Sequence, residues 1–207
     1  MSAQPLEVVR PSPSGAPDDV VAALQRRIES LQGGPTRLTV PVHPSLEGLV
    51  QLRTGTSYAV DSATLALGLA SGASRAGEWV GFAGWGDFGA EAAAQWGIDL
   101  RRTVLVPEPG ELWLEVVAAL VDVLKVVVLK PNGRVDAKSA SVLDARLRAR
   151  SSVLVVWGEW PRVEARVSAE QAHWTGVDRG RGRLDRRELR VAVTRGARRS
   201  AHDLVLP

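Results

Sequence analysis

The feature that most constrains the fold of this chain is a series of short, mostly apolar segments that alternate with helix-like segments between residues 56 and 157. The apolar segments read TSYAV, EWVGFA, TVLV, VVVL and SVLVVW. Continuous apolar runs of this length are typical of strands that helices cover on both faces. Between two of them, residues 111–124 carry apolar side chains at helical spacing, namely Trp113, Val116, Val117, Leu120, Val121 and Leu124. The pattern predicts an α/β fold, a mainly parallel sheet with flanking helices.

The pattern changes after Trp157. The remaining chain contains four strand-like segments, VEARVSA, QAHWTGV, ELRVAVTR and HDLVLP, with turns between them and no room for helices. Consecutive strands that are joined by short turns pair in the antiparallel sense. The sheet is therefore expected to finish in antiparallel strands.

The chain divides by composition into three parts. Residues 1–17 are rich in Pro and Ser and are predicted to form a disordered tail. Residues 18–48 are predicted to hold an amphipathic helix, capped by Asp18 and stopped by Gly33 and Gly34, followed by a linker strand punctuated by Pro. Residues 49–207 are predicted to form the core domain, with basic strands at its C-terminal end.

Composition excludes several classes of protein. The 207 residues include no Cys and only three scattered His, so we expect no disulfide framework and no metal site. No stretch resembles a secretory leader or a membrane span, which predicts a cytoplasmic protein. Residues 1–133 carry 10 basic and 14 acidic groups, whereas residues 134–207 carry 16 and 9. A basic C-terminal part is suited to attracting a polyanion or to forming a solvated sheet face.

The segment LRTGTSYAVDSATLALGLASG, residues 52–72, is a candidate phosphate-binding loop because a strand, a Gly and a hydroxyl residue precede a helix. If the loop begins at Gly55, Asp61 replaces the phosphate-binding Lys and Ser62 supplies the hydroxyl. If the loop begins after TSYAV, it has been deleted and Asp61 is a helix N-cap, which is the interpretation we prefer. In both alignments a carboxylate stands where a nucleotide needs a cation.

Two other parts of an ATPase site are also absent from the sequence. The strand VVVL continues into Leu129 and Lys130, where a magnesium-binding acid is expected. The strand EWVGFA is followed by Gly84, Trp85 and Gly86, where a catalytic Glu is expected. The sequence therefore predicts a protein that uses no nucleotide cofactor and is not an enzyme.

Residues 88–131, FGAEAAAQWGIDLRRTVLVPEPGELWLEVVAALVDVLKVVVLKP, resemble the central part of RecA-type recombinases. In that family a short helix ends in a Leu-Gly-Val-Asp turn, and the next strand ends in a Pro-Asp-x-Gly-Glu type of turn; here the turns read WGIDL and PEPGE. The likeness extends upstream through LRTGTSYAV and downstream to ELRVAVTRGARRSAHDLVLP. The degenerate loop and the chain length make it most similar to the ImuA-type accessory proteins of the bacterial translesion mutasome, in their short actinobacterial form.

This resemblance implies a RecA-like fold and a role in DNA-damage-induced mutagenesis, within the SOS response. The implied partner is ImuB, a catalytically inactive relative of Y-family polymerases, and an error-prone C-family polymerase is reached indirectly. The segments that correspond to a recombinase's DNA-contacting loops, KPNGRVD and GEWPR, are too short for strand exchange. Residues 18–42 match the part that recombinases dock onto a neighbouring subunit, so self-association stays open.

A rival interpretation rests on GWGDFG, residues 84–89, which is a complete G-x-G-x-x-G between a strand and a helix. Glu108 follows at the end of the next strand, as in a dinucleotide-binding fingerprint. The bulky Trp85 and the short following helix favour a plain Gly-rich turn. A dinucleotide-binding enzyme therefore remains the lesser alternative.

The remaining candidate residues are arginines and tryptophans of the C-terminal part. One set is predicted to bind nucleic acid by phosphate contacts, or to be a solvated turn: Arg179, Arg181, Arg183, Arg186, Arg187 and Arg190. A second set is predicted to bind the protein partner, since Arg and Trp are favoured at interfaces: Trp160, Trp174, Arg195, Arg198 and Arg199. Of the other tryptophans, three are expected in the core, namely Trp79, Trp113 and Trp157, and Trp85 is expected at an exposed turn.

Overall fold

The computed structural model describes residues 38–178 and 181–206. The predicted tail and N-terminal helix, and most of the segment 18–42, lie outside the described residues. The strands are β1 (Thr39–Val40), β2 (Leu52–Arg53), β3 (Thr56–Val60), β4 (Val80–Ala83), β5 (Thr103–Val106), β6 (Val126–Leu129), β7 (Val153–Trp157), β8 (Ala165–Asp178), β9 (Arg181–Arg195) and β10 (Arg198–Leu206). The α-helices are α1 (Ala63–Arg75), α2 (Ala90–Gln95), α3 (Trp113–Val123) and α4 (Ala137–Arg150).

Eight of these strands form one sheet in the order β10-β9-β8-β3-β7-β6-β4-β5. The strands from β8 to β5 are parallel, whereas β9 pairs antiparallel with both β8 and β10. The predicted α/β class, with a mainly parallel sheet and flanking helices that finishes in antiparallel strands, is confirmed. Strands β1 and β2 form a separate two-stranded antiparallel pair.

The central strands are continuous apolar runs because each face of the sheet has its own core. Helix α1 packs over one face, where Tyr58, Val126 and Val128 are buried. Helices α3 and α4 pack over the other face, where Val127 and Leu129 are buried. Successive residues of a strand point to opposite faces, so every position of β6 is buried although the faces belong to different cores.

The helix predicted over residues 111–124 is confirmed as α3, which spans Trp113–Val123. Helix α4 begins after Asp136, whose carboxylate accepts hydrogen bonds from the backbone N–H groups of Lys138 and Ser139. The hydroxyl of Ser139 also donates to this carboxylate, and these hydrogen bonds hold the pKa of Asp136 below its usual value. Arg148 and Arg150 lie in the last turn, next to the negative end of the helix dipole.

The number of C-terminal strands differs from the prediction. ARVSA, the last five residues of VEARVSA, and QAHWTGV lie in the single 14-residue strand β8, because the register shift between Ala169 and Gln171 makes a β-bulge at Glu170 instead of a turn. Strand β3 pairs with β8 only as far as Val167. The eleven residues from 168 to 178 therefore continue beyond the parallel strand for about 36 Å, at roughly 3.3 Å per residue. With β9 they form a long hairpin arm.

Within the described part of the chain, no helix is long and apolar enough to cross a membrane. The same residues contain no group of three or more His, Cys, Asp or Glu side chains arranged to hold a metal ion.

Candidate functional site

The connection between β3 and α1 is the position at which a phosphate loop would stand, and it contains only Asp61 and Ser62. Ser62 is the N-cap of α1, and its side chain accepts a hydrogen bond from the backbone N–H of Leu65 at 3.4 Å. Both carboxylate oxygens of Asp61 instead accept from the backbone N–H of Ala169 at 3.0 Å. The predicted N-cap at Asp61 is therefore wrong, because its carboxylate is bound to β8.

Gly55 is separated from this turn. It lies between β2 and β3 with a φ of 78°, beside the backbone of Arg148. The five residues of β3, about 16 Å in length, stand between Gly55 and Asp61. The alignment that joins Gly55, Asp61 and Ser62 in one loop is thus contradicted, and the connection has the two-residue form.

Aromatic rings fill the space beside this turn, at the carboxyl end of the sheet. Trp157 ends β7 directly opposite Val60, and its ring centroid lies 4.7 Å from that of Trp85. The Trp85 ring in turn contacts Phe82 at 5.8 Å and Phe88 at 5.4 Å. We call Phe82, Trp85, Phe88 and Trp157 the aromatic cluster. Trp85 is only 4% exposed, so its predicted exposure is wrong.

The ammonium group of Lys130 contacts the aromatic cluster and is already paired with a carboxylate. The ammonium group of Lys130 lies 4.1 Å from the ring centroid of Trp157 and 3.2 Å from a carboxylate oxygen of Asp87. The hydrogen bond from Lys130 holds the pKa of Asp87 below its usual value. A phosphate group at the turn would meet the Asp61 carboxylate, and two like charges 4 Å apart repel by about 4 kcal/mol at an effective dielectric constant of 20. This end of the sheet is unsuited to binding a triphosphate.

The contact between Asp61 and Ala169 leads to a testable expectation. The change Asp61→Ala removes the acceptor of the Ala169 N–H, so we expect the free energy of unfolding to fall by about 1 kcal/mol. Amide hydrogen exchange at Ala169 should become faster, since this bond holds the arm at the end of β3. Asp61→Asn keeps an oxygen acceptor and should retain most of the protection. Equal exchange at Ala169 in the wild type and in Asp61→Ala would contradict this role of the carboxylate.

Close packing requires a glycine at the first position of the turn GWGDFG. Gly84 has a φ of 75°, and a Cβ atom there would overlap the carbonyl oxygen of Lys130. Gly86 has open space around it, and α2 is only six residues long. A cavity of about 690 Å³ lies beside the turn, and Gly84, Gly86 and Glu108 are among its lining residues. The close approach of Lys130 accounts for Gly84 without a dinucleotide.

The predicted nucleic-acid-binding arginines fall on the arm. Arg181, Arg183, Arg186 and Arg187 belong to β9, whereas Arg179 lies outside the described residues. Arg190 is shared between two carboxylates, those of Glu170 at 3.9 Å and Asp203 at 3.8 Å. Arg190 is thus part of an ion-pair network within the arm.

The predicted partner-binding residues do not form one surface. Trp160 is 4% exposed and packs in the core beneath α3 and α4, so its predicted role as an exposed anchor is wrong. Its indole N–H has no hydrogen-bond partner among the described residues. Trp174 belongs to β8, on the arm. The structure does bring together the three arginines around the turn between β9 and β10, namely Arg195, Arg198 and Arg199.

Those three arginines have different surroundings. Arg195 donates a hydrogen bond to the backbone oxygen of Leu49 at 3.0 Å. Arg199 forms an ion pair with Glu170. Arg198 is exposed and has no ion pair within the described residues. Sequence reasoning found this cluster, but it missed the contact between Asp61 and Ala169, which are 108 positions apart and share no local motif.

The fold and this turn define the class of protein as an α/β scaffold with a mainly parallel sheet, in which the two-residue connection of Asp61 and Ser62 joins β3 to α1 and the Asp61 carboxylate is bound to β8. Residues 45–162 match the family model described as the MT3502 N-terminal domain, and the chain belongs to that family. The chain is also 35% identical over 146 residues to the uncharacterized protein Rv3395c of Mycobacterium tuberculosis (strain ATCC 25618 / H37Rv). That alignment covers 68% of this chain and 69% of the relative.

Proposed function

We propose that this protein is a noncatalytic accessory protein of translesion synthesis that acts in the cytoplasm and binds an ImuB-type polymerase relative. In this proposal an error-prone C-family polymerase is engaged only through that partner. The resemblance to ImuA-type proteins supplies the biological role. The observation that carries the noncatalytic part is the two-residue turn of Asp61 and Ser62, whose carboxylate is bound to β8.

The aromatic cluster gives the proposal a second physical support. Trp157 lies opposite Val60, the residue before the turn, and its ring packs against that of Trp85, so a longer phosphate-binding loop would have to fit next to these packed rings. Burial of aromatic rings contributes strongly to stability, and such a rearrangement would be costly. A protein built in this way is suited to binding through its surfaces rather than through a nucleotide pocket.

The burial of the C-terminal strands determines which variants can test partner binding. Val167, Leu189, Val191 and Val193 of the C-terminal strands are buried in the same core as Tyr58. Removing everything after Trp157 would therefore expose this core and unfold the domain. Point substitutions on exposed positions are the appropriate variants.

The experiment is co-purification of the full chain with an ImuB-type polymerase paralogue, with and without Mg-ATP. We expect a stable complex whose yield is the same in both conditions, because nothing in the proposed role depends on a nucleotide. Absence of a complex, or a complex that forms only with ATP, would refute the proposal.

DNA binding is a second candidate function, and the shape of the arm favours it. Strands β8 and β9 carry the basic segment beyond the point where β8 stops pairing with the parallel strand β3. Phosphate contacts would make retention on single-stranded DNA fall steeply with salt. The triple change Arg181→Ala, Arg183→Ala and Arg187→Ala tests this function: unchanged retention would remove it, whereas salt-sensitive retention that the variant loses would support it.

A further inference from the structure

The last strand of the sheet, β10, has an outer edge that no other strand pairs with in the described part of the chain. The strand has nine residues, about 30 Å in length at roughly 3.3 Å per residue. Residues 198–203 are exposed, and Val205 is 53% exposed. An accessible strand edge of this length is a template for pairing with another polypeptide.

The hairpin geometry determines which backbone groups face outward. Strands β9 and β10 are joined by Gly196 and Ala197, and Gly196 has a φ of 54°, as expected at the first position of a two-residue hairpin turn. In such a hairpin the closing pair, Arg195 and Arg198, exchanges both backbone hydrogen bonds. The bonding alternates along an antiparallel pair, so the N–H and C=O groups of Arg199, Ala201 and Asp203 point away from β9.

Four charged side chains on one face of this hairpin form a network of ion pairs. Glu170 pairs with Arg199 and with Arg190, and Arg190 also lies 3.8 Å from Asp203. These ion pairs link β10 to β8 and β9 through side chains on one face of the sheet. The two arginines and the two carboxylates of this network balance each other.

The other face carries an uncompensated pair of cations. Arg195 and Arg198 lie directly opposite each other, and side chains of directly opposed residues share one face of a sheet. Within the described residues neither guanidinium has a carboxylate within 4 Å, and Arg195 donates only to the backbone oxygen of Leu49. Like charges in this arrangement destabilise a hairpin unless an acidic group lies between them.

We propose that the outer edge of β10 binds an extended segment of a partner protein by strand addition, with an acidic side chain of that segment beside Arg195 and Arg198. Main-chain hydrogen bonds to Arg199, Ala201 and Asp203 supply affinity, and the acidic side chain sets the register. Apolar side chains of the segment lie at the far end, near Val205. This inference rests on the proposed function, since it names the surface that the ImuB-type partner occupies.

A second copy of this chain fits the same edge less well. Antiparallel pairing of two β10 strands over their full length places Arg199 opposite Val205 and His202 opposite His202 of the second copy. That arrangement supplies no carboxylate beside Arg198. Charge complementarity therefore favours a different polypeptide.

The test measures the affinity of the full chain for an ImuB-type polymerase paralogue by titration calorimetry. Ala201→Pro removes an outward N–H without breaking a bond to β9, and Ala201→Thr is its control because it keeps that N–H and suits a strand. Arg198→Glu removes the cation and relieves the repulsion with Arg195, so folding is preserved. Lys138→Glu, at an exposed position on α4, is the control for reversing a charge.

We expect Ala201→Pro and Arg198→Glu each to weaken binding at least tenfold, and the two controls to stay within about threefold of the wild type. In the wild-type complex, amide hydrogen exchange of Arg199, Ala201 and Asp203 should slow. Wild-type binding that both variants retain, with no slowed exchange, would overturn the β10 site and leave the proposed function standing. No wild-type binding would refute the proposed function and this inference together, and loss of self-association in Ala201→Pro would assign the edge to a second copy.

Discussion

Replacing Trp85 by alanine is expected to lower the free energy of unfolding by about 3–5 kcal/mol, the range for removing a large aromatic side chain from a core. Trp85 is 4% exposed and its ring contacts three other aromatic rings, those of Phe82, Phe88 and Trp157. The change would leave a cavity among these three rings, which are too rigid to close it. Chemical denaturation followed by circular dichroism measures the loss.

Trp79→Ala is the matched control. Trp79 is 48% exposed, directly before β4, so its truncation should cost about 1 kcal/mol or less. Similar losses for the two variants would show that the aromatic cluster does not stabilise this end of the sheet. Comparing the two variants is informative because the sequence pattern places Trp79 in the core and Trp85 at an exposed turn. That pattern predicts the larger loss of stability for Trp79→Ala.

Gly84→Ala is expected to destabilise the protein by about 2–5 kcal/mol. The positive φ of 75° costs a residue with a side chain about 1–2 kcal/mol, and the added methyl group would overlap the carbonyl oxygen of Lys130. Forcing an extra group into a packed site typically costs about 1–3 kcal/mol more. The measurement is again the free energy of unfolding in denaturant.

Gly86→Ala serves as the control, because a Cβ atom at Gly86 meets nothing within 4 Å. We expect its stability to match that of the wild type within about 0.5 kcal/mol. If GWGDFG held a dinucleotide, Gly86 would be the position of close approach, and Gly86→Ala would abolish binding of NAD. Binding of NAD by the wild type that is lost in Gly86→Ala would contradict the packing role that we assign to this turn.

The layered fold was predictable from the sequence because it depends on local patterns. TSYAV, TVLV and VVVL match β3, β5 and β6 residue for residue. Helix α4 also depends on a local signal, because its cap Asp136 binds backbone N–H groups only two and three residues further along the chain. Continuous apolar runs indicated a sheet covered on both faces, and the two cores bear this out.

Contacts between distant segments were not predictable in this way. The bulge at Glu170 joins two apparent strands into one, and nothing in VEARVSAEQAHW distinguishes a bulge from a turn. The role of Asp61 depends on the backbone N–H of Ala169, which any residue except proline would supply. The predicted burial of Trp79, Trp85 and Trp160 was wrong. Whether a tryptophan next to a turn is buried depends on contacts with distant segments, and the neighbouring residues do not encode those contacts.

If the Asp61 carboxylate, bound to β8 next to the aromatic cluster, excludes a nucleotide, the protein binds its partner without nucleotide. Titration calorimetry tests this most directly, with Mg-ATP added first to the full chain and then to its complex with an ImuB-type polymerase paralogue. We expect no measurable binding of ATP up to millimolar concentration, and an affinity for the partner that is the same with and without the nucleotide. A saturable ATP isotherm, or an affinity for the partner that changes tenfold or more when ATP is present, would contradict it.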